Sequence, residues 1–230
     1  MKPLYKVLFI FFGAQFCYSQ TDSLSAVDHL YKEDQFYIGI TYNLLGKKPS
    51  GLKQSGFSSG LHFGIIKDMP LNEARDVAIG VGLGVSLNSF NHNLFIKKDS
   101  DGNLSYSILD DGSGYSKNKF NRQLIELPIE FRWRTSTPTE YDFWRIYAGF
   151  KLGYLVNSTT KFKGDGGSFK YHNIEDFNKL QYGLTLSAGY NTWNLHLYYG
   201  LNPIFSKNAV LNGNDMNTNI LKVGLMFYIL

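Results

Sequence analysis

Glu126 and Glu130 stand four residues apart in the run Leu124-Ile125-Glu126-Leu127-Pro128-Ile129-Glu130-Phe131. Two carboxylates held at one site can divide the work of general acid and general base. The same run continues into Arg132 and Arg134, and Arg145, Lys151 and Lys222 recur on the corresponding face of later segments. Enclosed charges require partners, so glutamates that share a face with this many bases are expected to form an ion-paired plug. The expected cluster is Glu126, Glu130, Arg132, Arg145, Lys151 and Lys222, with a structural role. Within it, the succession of the strands that carry them suggests Glu126 with Lys151 or Glu130 with Arg145, according to the register between the two strands.

Other residue types lead to weaker chemistry. His62 and His196 could each activate a serine for hydrolysis, as in lipid-modifying barrels, but no serine stands at a telling spacing and both read as interior filler. Gly80-Val81-Gly82-Leu83-Gly84 lacks the spacing of a dinucleotide loop and no helix follows it. Asp99-Ser100-Asp101-Gly102-Asn103 offers oxygens at alternate positions, as calcium loops do, yet lacks the distal glutamate and reads as a turn. No catalytic residue, cofactor or metal is expected.

The elements that position these groups alternate with a period of two. Val77, Ile79, Val81, Leu83, Val85 and Leu87 interleave with Ala78, Gly80, Gly82, Gly84, Ser86 and Asn88, a pattern that no helix can use. The same split recurs over 36–43, 57–65, 125–134, 144–154, 181–190, 193–201 and 221–229, which makes eight strands. Several reach the roughly 9–11 residues that a tilted strand needs to cross a bilayer. An even number can close without an edge, as hydrocarbon demands.

The first residues carry an address. Lys2 and Lys6 precede an apolar stretch from Val7 to Ala14, and Cys17-Tyr18-Ser19 puts small residues where a signal peptidase cuts. Residues 1–19 are expected to be a signal peptide, 20–35 a periplasmic tail and 36–230 the barrel. Removing the signal leaves 21 basic residues against 19 acidic ones, too even for nucleic acid, and takes away Cys17, the sole cysteine.

Connector lengths give the topology. Residues 44–56, 89–120, 156–179 and 202–218 are long and polar; 68–75, 135–142 and 191–192 are short. Long loops belong outside and short turns in the periplasm. The expected architecture is an all-β, eight-stranded antiparallel up-and-down transmembrane β-barrel, with its large apolar residues in outer-membrane lipid and glycine and charge inside. The competing arrangement, a soluble barrel or sandwich, would pack three Trp inward and leave Gly-rich stripes in water. Pro128 within a strand predicts a bulge there.

The segment 124–131, with its Leu-Glu-Leu-Pro core, together with Tyr147-Ala148-Gly149-Phe150-Lys151-Leu152-Gly153-Tyr154 and Tyr182-Gly183-Leu184-Thr185-Leu186-Ser187-Ala188-Gly189-Tyr190, resembles the PorT-like outer-membrane β-barrel family over nearly the whole mature chain. The resemblance implies an outer-membrane barrel with no known catalytic site; a role in secretion and surface motility belongs to a subset of that family, and no motif transfers it. The expected function is structural or interactive. Four outer loops would contact a surface glycan or an envelope or secretion-complex protein, with a narrow solute channel and a lipid-modifying enzyme as the alternatives.

Overall fold

A computed structural model describes residues 34–110, 112–135, 143–165 and 167–229. In chain order the strands are β1 (Gln35–Gly46), β2 (Ser59–Pro70), β3 (Val77–Asn91), β4 (Leu94–Lys98), β5 (Leu104–Ile108), β6 (Tyr115–Arg134), β7 (Trp144–Gly164), β8 (Gly167–His172), β9 (Leu180–Tyr190), β10 (Trp193–Gly200), β11 (Val210–Leu211), β12 (Asn214–Asp215) and β13 (Asn219–Ile229). The described residues contain no helix. The expected signal peptide and nearly all of the expected tail lie outside the described residues, as does most of the 135–142 turn.

Eight of these strands close into an antiparallel barrel. The order runs β6-β3-β2-β1-β13-β10-β9-β7, and pairing of β6 with β7 shuts the ring. Every neighbouring pair is antiparallel, so no backbone edge is left at membrane depth. The period-two pattern sorts as the lipid reading requires. Trp133, Trp144 and Trp193 are 39%, 60% and 65% exposed, and Phe36, Phe63, Phe131 and Leu195 also face outward. Trp144 meets Tyr190 at 5.3 Å and Trp193 meets Phe227 at 5.1 Å between ring centroids, which forms an aromatic girdle at the short-turn end. There the two-residue turn at Asn191 and Thr192 sets Tyr190 opposite Trp193, with Asn191 at φ 53°.

The strands extend beyond the apolar alternation. β2 continues through Asp68 to Pro70, so the first short turn is 71–76. β6 and β7 rise past the belt as a ribbon that β8 joins along β7. The second long connector folds into the β4–β5 hairpin.

The expected bulge at Pro128 does not form. Pro128 pairs in register with Lys151 on β7. On the β3 side the ladder lapses between Val81–Ile129 and Gly84–Glu126, then resumes in the same register. Proline has no N–H to give, and the space for its ring comes from Gly82, where a Cβ would stand 3.0 Å from Pro128 Cγ. A missing side chain opposite does the work assigned to an extra residue. The irregularities of the β6–β7 ladder fall instead at Tyr115/Lys117 and Gln123/Leu124.

The interior has two chemistries. The membrane-level lumen is polar and charged, and towards the long loops it gives way to an apolar cluster that includes Leu45, Phe90, Phe120, Phe177, Phe205 and Met216.

Candidate functional site

The lumen charges lie in two layers. Towards the short turns, Asp68 sits on β2 with Arg132 and Arg134 on β6. Arg132 Nη1 donates to Asp68 Oδ1 at 2.9 Å and Arg134 Nη2 to Oδ2 at 2.8 Å, so one carboxylate serves two guanidiniums. Arg132 also donates to Gln35 Oε1, and its guanidinium lies 4.1 Å over the Tyr147 ring. Glu130 Oε2 stands 3.7 Å from Arg132 Nε. All three ionised groups of the Asp68 triad are fully buried, where a shared ion pair is strongest and its loss most costly.

Nearer the loops, Glu126 is the centre of a second set. Its carboxylate stands 3.1 Å from Lys151 Nζ, 3.7 Å from Lys222 Nζ and 3.6 Å from His62 Nδ1. Lys222 Nζ lies 5.0 Å from the Tyr198 ring centroid. Glu126 and Lys151 therefore meet as the sequence suggests. Glu130 and Arg145 do not: the register sets Arg145 opposite Arg134, and its guanidinium stacks 4.4 Å over Phe143. The 68–75 connector expected from the sequence takes in Asp68, although Met69 keeps the outward parity of Ile65 and so turns Asp68 inward.

A serine does reach a lumen histidine. Ser187 lies across the β9–β10 ladder from His196, with 2.7 Å between Oγ and Nδ1, and the Tyr228 hydroxyl donates to Ser187 Oγ at 3.1 Å. The pair is close across a hairpin and nine apart in sequence, so linear spacing could not reveal it. Both residues are buried, and no carboxylate orients His196 among the described residues. The cavity beside Glu126, lined by Asn88, Arg122, Lys151, Gln181 and Lys222, measures about 10 Å³, the size of a single water.

Above the lumen, the connectors form a packed cap. Phe120 is wholly buried and meets Phe90 at 4.8 Å, His92 at 4.7 Å and Phe177 at 5.2 Å between centroids. Three asparagines tie the loops to this core by satisfying backbone groups that a loop would otherwise leave unpaired. Asn93 accepts from the Lys53 N–H at 2.7 Å and donates to the Gly51 and Leu109 carbonyls. Asn118 donates to the His92 and Leu94 carbonyls, and Asn178 to those of Pro203 and Phe205. Tyr106 on the hairpin donates to Asp176 Oδ2 at 2.7 Å, and burial followed by that neighbouring carboxylate pushes its phenol above the usual range. Beside this contact a polar groove of about 260 Å³ opens between Lys98, Asn103, His172, Glu175, Asp176 and Asn208. The Asp99 to Asn103 turn is engaged internally, since Asp99 Oδ1 accepts from the Asp101 and Asn103 N–H groups. Those bonds, that of Asn103 first, hold its carboxyl below the usual range.

Burial depresses the His92 imidazole to about 3. An unfolded histidine titrates near 6.5. The neutral ring's contribution is thus complete above about pH 6.5 and is lost as pH falls towards the folded value, roughly 2 kcal/mol of it by pH 5. Loop proteolysis in detergent micelles is expected to accelerate between pH 7.5 and pH 5 in the wild type but much less in His92→Gln; parallel profiles would contradict the assignment.

No functionally curated protein matches the chain. Among solved structures it is similar to Ail, the attachment invasion locus protein of Yersinia pestis, at 13% identity and a TM-score of 0.43, over 86% of this chain and 99% of that one. A second structure of that protein, in complex with the heparin analogue sucrose octasulfate, aligns at 12% identity and a TM-score of 0.33 over the same shares. The family described as outer membrane protein beta-barrel domain matches residues 14–206, and with the closed lipid-facing barrel described above, the chain belongs to that family of outer-membrane β-barrel proteins.

Proposed function

We propose that this is a non-enzymatic interaction barrel of the PorT-like kind, exported by cleavage after residue 19, with residues 20–35 left as a periplasmic tail. Its wall anchors a loop cap that engages an envelope protein or a surface glycan. The observation that carries this reading is the cap itself. Loops that merely connected strands would not require a shared apolar core and three asparagine ties, two of them buried. The single-water cavity speaks against a solute channel, and a Ser187–His196 pair beneath a packed cap speaks against lipid hydrolysis. The six-residue charge cluster of Glu126, Glu130, Arg132, Arg145, Lys151 and Lys222 then serves as a structural plug.

A photo-crosslinking residue at Asn103 or Asn208, on the groove rim, is expected to trap a protein or glycan in intact cells, and His172→Ala with Glu175→Ala should cut that yield several-fold. A yield no higher than from a lipid-facing position such as Leu195 would remove the cap as the engaged surface. Planar bilayers holding the purified protein are expected to stay silent, and step conductances would move the assignment to a channel.

A further inference from the structure

The ribbon of β6, β7 and β8 above the apolar belt carries lysine against lysine. Lys117 pairs with Lys163 and Lys119 with Lys161 across β6–β7, and Lys161 pairs in turn with Lys170 on β8. Alternation fixes all five on one face, because the intervening Phe120 and Phe162 turn inward, Phe162 to meet Phe95 at 4.6 Å. Like charges directly opposite one another on a sheet destabilise it. No ion pair relieves them among the described residues, and no carboxylate stands on these strands above the belt; Asp165 lies at the ribbon tip. An anion bound to this face would offset the repulsion.

The position of the face says which anion. Directly below the lysines, the outer wall presents Asn121, Gln123, Asn157 and Thr159 around a cleft of about 300 Å³, with Asn157 donating to Gln123 at 3.2 Å. Leu61 and Leu87 line the same cleft, and Ile125 and Tyr154 continue the apolar belt beneath it. Acyl-compatible, sugar-compatible and anion-compatible surfaces are thus stacked in that order along one side of the barrel. We propose that this side binds an anionic glycolipid of the outer leaflet, with acyl chains on the belt, saccharide on the amide and hydroxyl cleft, and phosphate or acidic groups on Lys119, Lys161 and Lys170. The inference does not depend on what the loop cap engages. A free polyanion in the medium would meet the lysines but would leave the cleft and the belt unused, which favours the lipid-borne source.

The test titrates the full chain in neutral-detergent micelles with a phosphorylated lipid A-type glycolipid, its dephosphorylated form and its deacylated phosphorylated saccharide, and reads the thermal midpoint of heat-modifiable electrophoretic mobility. The phosphorylated glycolipid is expected to raise the wild-type midpoint, with both other ligands much weaker. In a Lys119→Gln, Lys161→Gln, Lys170→Gln variant, binding should weaken about a hundredfold, at roughly fivefold per lysine near an anionic surface. Without glycolipid the variant should unfold at the same temperature or higher, since repulsion is relieved. Equal binding by the variant or by the dephosphorylated form would overturn the proposal, as would a saccharide as effective as the intact glycolipid. A lower midpoint of the variant without glycolipid would also overturn it, by showing that the lysines serve the ribbon's own packing.

Discussion

Replacing Asp68 by alanine is expected to destabilise the folded barrel by about 3–5 kcal/mol, the cost of taking the common carboxylate from two buried guanidiniums. Arg132 and Arg134 are wholly buried, approach Asp68 at 2.9 and 2.8 Å, and cannot shed their charge. Unfolding by urea in micelles, followed through the emission of Trp133, Trp144 and Trp193 on the wall, measures the loss. Asp68→Asn keeps an acceptor but no charge and should fall between wild type and alanine. Adding Arg134→Met to Asp68→Ala should restore part of the stability, because one of the two buried cations that shared Asp68 is then replaced by an apolar stem. A drop below about 1 kcal/mol in Asp68→Ala would place the pair among interactions of surface strength and deny it the role of holding β2 to β6 across the lumen.

The wall was legible in the sequence because lipid imposes one rule over its whole height. Ile125, Leu127, Ile129, Phe131 and Trp133 must face hydrocarbon, so Glu126, Glu130, Arg132 and Arg134 must face the lumen, and every one of these parities appears in the fold. Above the membrane the rule inverts while the parity stays. On the same β6, the outward positions become Lys117, Lys119, Asn121 and Gln123, and the inward ones include Phe120 and Leu124. A search for apolar residues on the outward face therefore ends each strand where lipid ends, which is why it places Lys117, Lys119 and Phe120 in the 89–120 connector and leaves the buried Arg122 outside every strand. On β7 the extra residue between Leu155 and Asn157 also switches parity, so Tyr154 and Lys161 share a face that even spacing would deny them. The pairings inside the lumen were less accessible still. Which base meets Glu126 or Glu130 depends on the stagger of β6 against β7, and side-chain alternation constrains that stagger only to steps of two residues. Alternation thus admitted both of the suggested pairs, whereas the observed register permits only Glu126 with Lys151.

Phe120→Ala carries the second large effect, an expected loss of about 3–5 kcal/mol confined to the cap. Phe120 has no exposed surface and bridges Phe90 and His92 below the hairpin to Phe177 and Phe205 of the later connectors, so its removal opens a void at the centre of the cluster they share. The wall should tolerate it. Phe120 stands opposite Phe90 at the outer end of the β3–β6 ladder, and pairs from Val85–Ile125 down to Val77–Trp133 lie beyond its reach. Local opening without global unfolding is the expected signature: loop proteolysis speeds up by orders of magnitude while heat-modifiable mobility and wall tryptophan emission hold. Conductance should remain absent even with the cap loosened, because the Glu126–Lys151–Lys222 layer and the Asp68 triad still fill the lumen beneath it. A barrel midpoint that fell in step with proteolysis would mean that cap and wall fold as one unit, and the loops could then not vary their partner surface without putting the membrane anchor at risk.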